Sequence, residues 1–172
     1  LGLGMYDDLA SQLHKPKKKF TRRKVVANAI DDIWAIDLVD MSNLSEFNNN
    51  KRYLFNVVDV FSKYAFSVPV PDKTGTSITD ALKQIIVSTE RKRNRIWTDH
   101  GAEFFKKIFV QFLEQNNIKK YVTGNEGKSV VVERFNRTLN ENIHKYLTAK
   151  NTNKYIDNLQ KTLLMNIMTQ ST

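Results

Sequence analysis

The 172-residue chain has no cysteine, three histidines, three prolines and six glycines. Without cysteine there can be no disulfide and no Cys-containing zinc site in this chain. Three scattered histidines cannot replace such a site, so no zinc is expected. The same absence fits a reducing compartment. No apolar run approaches the roughly 20 residues needed to span a bilayer, which predicts a soluble protein with no membrane partner. No cleavable leader is visible at the start. Acidic residues are in deficit, 18 Asp and Glu against 27 Lys and Arg, leaving a formal net charge of +9.

What is present is enough for a core. Hydrophobic residues make up 41% of the chain and ten are Phe, as in a globular domain rather than a disordered segment. The length suits one domain preceded by an arm. The charge is uneven: residues 1–24 carry seven Lys or Arg against two Asp, whereas residues 25–172 carry 20 against 16. We therefore divide the chain into a basic arm or linker, 1–24, and a globular core, 25–172. In the arm, Lys17, Lys18, Lys19, Arg22 and Arg23 surround little that could pack, and Pro16 argues against helix. Such a run suits a polyanion, most commonly nucleic acid. A nuclear-import signal or a solvated tail fits the same residues.

In the core, Ile33 to Met41 is apolar on both strand faces and is expected to be central in a sheet. Tyr53–Phe61 and Tyr64–Val70 form two further strands, and the tight Ser62-Lys63 connection predicts an antiparallel hairpin. Ile78, Ala81, Leu82, Ile85 and Ile86 have helical spacing, with Thr76 or Ser77 available as N-cap. A basic bend, Arg91-Lys92-Arg93-Asn94-Arg95, leads to a short strand at Ile96-Trp97-Thr98. Phe104–Asn116 is expected as one helix burying Phe105, Ile108, Phe109, Phe112 and Leu113. A strand at Lys120–Thr123 and a Gly124–Gly127 loop follow. Then comes a helix with the apolar stripe Val132, Phe135, Leu139, Ile143, Tyr146, and finally a helix at Tyr155–Met168. The alternation predicts an α/β mixed sheet with helices against it.

Three carboxylates stand out. Asp37 lies within the apolar strand, on the face of Ala35 and Val39, where burial costs several kcal/mol (~) unless the charge is paired or metal-bound. Asp99 ends a strand before a Gly-containing turn, the position where α/β sheets commonly place their sites. Glu133 opens a helix and shares one face with Asn136, Arg137 and Asn140. Singly, an ion pair, a turn Asp and a surface Glu account for them. Together they can hold two Mg²⁺ ions, which prefer hard oxygen ligands, and so support in-line phosphoryl transfer. Asp40, Glu103 and His100 are expected to be structural or solvated.

These motifs resemble the retroviral-type integrase catalytic core, of the DDE superfamily with the RNase H-like fold. The marks are Trp34 before Asp37; Asp59 with Ser62 and Lys63; Thr98-Asp99, Gly101 and Glu103-Phe104; and Glu133-Arg134-Phe135-Asn136-Arg137-Thr138, over about residues 25–150. Leu13-His14-Lys15-Pro16, Ile30-Asp31-Asp32-Ile33-Trp34, Lys128-Ser129-Val130-Val131-Val132-Glu133 and Lys150-Asn151-Thr152 are similar to the integrases of Maverick/Polinton elements and virophages. The resemblance implies a five-stranded mixed sheet flanked by helices, and 25–172 as an integrase catalytic core. It implies Asp37, Asp99 and Glu133 as catalytic ligands of two Mg²⁺ or Mn²⁺ ions. Asn136, Arg137 and Asn140 would contact DNA, and Asp59 would be structural rather than a metal ligand. It further implies 3′-end processing and strand transfer on double-stranded DNA, a homodimer with higher oligomers on DNA, and a place in the host nucleus or a viral particle. The missing zinc and C-terminal domains are those expected of a core segment. A non-enzymatic DNA-binding or assembly module, and a related nuclease or cut-and-paste transposase, remain alternatives.

Overall fold

The computed structural model describes residues 26–89, 94–122 and 130–169. The basic arm, most of the basic bend and the loop before Val130 lie outside them. The strands are β1 (Ile33–Asp40), β2 (Tyr53–Asp59), β3 (Ala65–Val70), β4 (Arg95–Thr98) and β5 (Lys119–Val122). The helices are α1 (Gly75–Thr89), α2 (Lys107–Gln115), α3 (Val130–Lys150) and α4 (Leu159–Thr169), with short 3-10 turns at Ser42–Phe47, Ala102–Phe105 and Ile156–Asn158. No helix among the described residues is long and apolar enough to cross a membrane.

The strands form one mixed sheet in the order β3-β2-β1-β4-β5. β1 pairs antiparallel with β2 and β2 with β3, while β1–β4 and β4–β5 are parallel. This gives the expected five-stranded architecture, with β1 in the middle. Trp34, Ile36, Phe55, Val57 and Ile96 face a core completed by α1 and α2. Ile33, Ala35, Leu54 and Val58 face a second core completed by α3 and α4. β1 is apolar on both faces because helices cover both.

Local chemistry holds the turns. Asp59 is fully buried at the end of β2. Its Oδ1 accepts from the Asp31 and Phe61 N–H groups, and its Oδ2 from the Ser62 N–H and hydroxyl. It therefore has the structural role expected of it. Lys63, at φ 62°, turns the chain back into β3. Arg95 binds Asp32 through Nη2 at 2.6 Å and Nε at 3.1 Å, clamping the start of β4 to β1. The guanidinium holds the Asp32 carboxyl below its usual range. Arg95, the last residue of the basic bend, is committed to this ion pair.

Three expectations are corrected. The cap of α1 is Thr74, whose Oγ1 accepts from the Ser77 N–H, rather than Thr76 or Ser77, which lie inside the helix. The expected Phe104–Asn116 helix is broken by extended backbone at Lys106 (φ −63°, ψ 137°). The break resets the helical phase, so Phe104 is buried while Phe105 and Ile108 are 48% and 43% exposed. On α3 the stripe ends on Leu147, fully in the core, with Tyr146 only half-buried beside it.

Buried Asn48 joins distant parts of the chain. Its Nδ2 donates to the carbonyls of Leu44 and Asn153, and its Oδ1 accepts from the N–H groups of Tyr155 and Ile156. Asn48→Ala would take this partner from two backbone donors and two carbonyls, and we expect a loss of about 2–4 kcal/mol in urea unfolding. Tyr155, beside it, is 1% exposed, and its hydroxyl has no hydrogen-bond partner among the described residues. Burial pushes its pKa up to about 12. The folded state thus holds this proton more tightly than the unfolded chain, whose tyrosines titrate near 10. The resulting stability is complete below pH ~10 and is lost as pH rises toward ~12. Tyr155→Phe should be neutral or stabilising at pH 7 and should remove this alkaline loss, read as the difference between variant and wild-type urea midpoints from pH 9 to 12.

Candidate active site

The site forms where β1 and β4 run parallel and α3 crosses over them. Their register pairs Ala35 with Trp97. Two residues further on, Asp37 and Asp99 leave adjacent strands with the same parity, both toward α3. Val132, Phe135, Leu139, Ile143 and Leu147 anchor α3 in the core, and this fixes the rotation of its first turns. Asp37, Asp99 and Glu133 consequently line one small cleft with Ile36, Trp97, Thr98 and Val132, of about 20 Å³.

Each strand carboxylate is held. Asp37 Oδ1 accepts from the Leu38 N–H at 2.9 Å, and its Oδ2 from Asn136 Nδ2 at 2.7 Å. Asp99 Oδ1 accepts from the Gly101 N–H at 2.8 Å. A Cβ at Gly101 would lie 3.0 Å from Asp99 Oδ1 and 2.8 Å from Glu103 Oε1, so a side chain there would push the Glu103 carboxylate aside. Glu103, expected to be structural or solvated, turns its carboxylate toward the same glycine as Asp99. Glu133 is exposed on the first turn of α3.

The donor set suits a hard divalent cation, since three carboxylates open into one cleft with room on the scale of one water. It is not a ready-made cage. Among the described residues, no three His, Cys, Asp or Glu are gathered closely enough to hold an ion.

Asn136 was expected to contact DNA, but its amide faces inward: Nδ2 donates to Asp37, and Oδ1 accepts from Asn56 Nδ2 at 2.8 Å. Arg137 and Asn140 lie on an open face of α3 with Glu141, His144, Lys145 and Thr148. Lys17, Lys18, Lys19, Arg22 and Arg23 lie outside the described residues. Asn56 was missed altogether. Its signal was a polar residue at the centre of the apolar run Leu54-Phe55-Asn56-Val57-Val58, legible only once β2 was known to pair with β1.

A five-stranded mixed sheet, covered by helices on both faces, with Asp37 inside the central strand and Asp99 just past the end of its parallel neighbour, belongs to the RNase H-like fold class. Within that class the chain belongs to the integrase core domain family, whose model matches residues 27–125, more than half of the chain. A transposon-derived protein of Caenorhabditis elegans is 29% identical over 121 residues, 70% of this chain and 42% of that protein. The retrovirus-related Pol polyprotein from transposon 412 of Drosophila melanogaster is 26% identical over 111 residues, 63% of this chain and 9% of the polyprotein. The chain thus spans less than half the length of these relatives. Among solved structures, the HTLV-2 integrase catalytic core domain in complex with magnesium superposes with a TM-score of 0.66 at 23% identity, over 80% of this chain and 87% of that one. A chain of the simian T-cell lymphotropic virus intasome gives 0.74 at 21% identity, over 86% and 52%. At these identities the two structures support the fold.

Proposed function

We propose that this chain is the catalytic core of a DNA integrase that processes the 3′ ends of an element's DNA and joins them to target DNA. The observation that carries the proposal is the shared cleft of Asp37, Asp99 and Glu133. Two divalent cations, Mg²⁺ or Mn²⁺, held by these three residues would supply activation of the attacking oxygen and stabilisation of the leaving oxygen. The protein's own part is to hold and orient. Leu38 N–H and Asn136 fix the Asp37 carboxylate, and Gly101 N–H fixes that of Asp99. Arg137 and Asn140, on the open face of α3, would steady the DNA backbone, and the basic arm would track phosphates beyond it.

The further attributes belong to the same proposal. The magnesium-bound dimeric and trimeric cores and the intasome among the structural relatives support divalent-metal use, a homodimer and a larger assembly on DNA. The motifs around Leu13-His14-Lys15-Pro16 and Lys128–Glu133 support the Maverick/Polinton subgroup. An integrating enzyme works where its target DNA is, which supports the host nucleus, with the viral particle as its carrier. The division into a 1–24 arm and a 25–172 core rests on the charge distribution. A second reading, a DNA-binding module without turnover, draws on exposed Glu133 and the uncollected ligand set.

Strand transfer with Mn²⁺ on preprocessed ends, using the protein with its flanking segments, separates the readings. Asp37→Asn, Asp99→Asn and Glu133→Gln should each reduce joining by at least about a hundredfold while leaving DNA affinity within about threefold (1.4 kcal/mol per tenfold). Wild-type joining by all three variants would sink the assignment, and cleaved but unjoined product would indicate a nuclease. Replacing Lys17, Lys18, Lys19, Arg22 and Arg23 by Ala should flatten the plot of log affinity against log salt by about 0.9 for each phosphate that is no longer neutralised. An unchanged slope would make the arm a linker.

A further inference from the structure

The face of the sheet beneath α3 carries a polar row. Asp37 on β1 is the register partner of Asn56 on β2, and Asn56 is that of Ser67 on β3. Asn56 is 0% exposed and Ser67 3%, with Leu54, Val58 and Ala65 of the same face in the apolar core. Asn56 Oδ1 and Ser67 Oγ find no hydrogen-bond partner among the described residues. A leucine, close to asparagine in shape, would suit this position better for stability, since an unpaired buried polar atom costs about 1–3 kcal/mol. Folding alone gives no reason for an amide here.

The hydrogen-bond chain supplies one. An ionised carboxylate only accepts, so Asn136 must present Nδ2 to Asp37 and turn its Oδ1 away. The group facing that oxygen must then be a donor. Asn56 Nδ2 occupies that place, so the sequence Asn56 to Asn136 to Asp37 is consistent in one direction only. We infer that Asn56 is a positioning residue, which locks the Asn136 amide in the orientation that holds Asp37 Oδ2 for the metal. The inference rests on the integrase reading of Asp37. Asn56 touches neither DNA nor metal and acts only through Asn136.

The test is Mn²⁺ titration calorimetry on the full 172-residue chain, with and without a double-stranded DNA oligonucleotide, alongside urea unfolding. Wild type is compared with Asp37→Asn, Asn56→Leu, Asn136→Leu and the Asn56→Leu/Asn136→Leu double variant. Asn56→Leu should bind Mn²⁺ about ten- to a hundredfold more weakly, the usual cost of losing a group that orients a ligand. Its unfolding midpoint should equal or exceed that of wild type, a combination that a merely structural role would not give. The double variant should bind no more weakly than Asn136→Leu alone, because Asn56 has no other route to the ion. Wild-type affinity in Asn56→Leu, or losses that multiply in the double variant, would overturn the positioning role. If Asn56→Leu does not fold, Asn56→Ala replaces it with the same expected loss of affinity. Full Mn²⁺ binding by Asp37→Asn, or none by wild type with DNA present, would overturn the underlying site assignment instead.

Discussion

Everything at the site depends on how α3 lies against the sheet. Burying Val132, Phe135, Leu139, Ile143 and Leu147 beneath that helix removes five large apolar side chains from water, at about 1.5–3 kcal/mol each. Only one rotation of the helix about its axis achieves this. In that rotation Glu133 borders the cleft and Asn136 reaches Asp37, because they lie one and four positions beyond Val132. Hydrophobic packing, which carries no chemical information itself, thus sets the reach of the polar groups. Asn48 closes the far end by tying the 3-10 turn after β1 to the connection beyond α3.

The same packing creates a conflict that the protein resolves with amides. A carboxylate on the central strand is flanked by apolar residues on its own face, and an uncompensated charge there would be costly. The Leu38 N–H and the Asn136 amide satisfy Asp37 while it remains at the edge of the cleft. Asp99 is held by the turn that follows it, through the Gly101 N–H. Both strand carboxylates are therefore oriented by their surroundings, whereas Glu133 stands exposed on a helix end. The loop before it lies outside the described residues. Two held carboxylates and one exposed one therefore border the cleft.

Several features were readable from residue order because they depend on near neighbours. The hairpin at Ser62-Lys63, the α3 stripe and the alternation that puts Asp37 on the face of Ala35 all follow from local periodicity. The structural role of Asp59 came instead from the family resemblance, and the structure realises it through Ser62. The α2 region was not readable: the extended Lys106 residue shifts the helical phase by a fraction of a turn, and periodicity counts through such a break without detecting it. The α1 cap was displaced by the side chain of Thr74, whose competition with Thr76 and Ser77 is decided by backbone geometry rather than residue type.

The sequence by itself determined the inventory: which strand is buried on both faces, which carboxylates interrupt apolar or turn segments, and which family the motifs resemble. These follow from composition and from spacing within one element. Tertiary structure alone decided the strand order, the convergence of three carboxylates separated by up to 96 positions, the ion pair of Arg95 with Asp32, and the inward turn of Asn136 onto Asn56. The physical reason is that hydrogen-bond direction and strand register are properties of pairs. Asn56 in isolation is one polar residue in an apolar strand, and its partner lies 80 residues away on a helix whose rotation only the packed core defines.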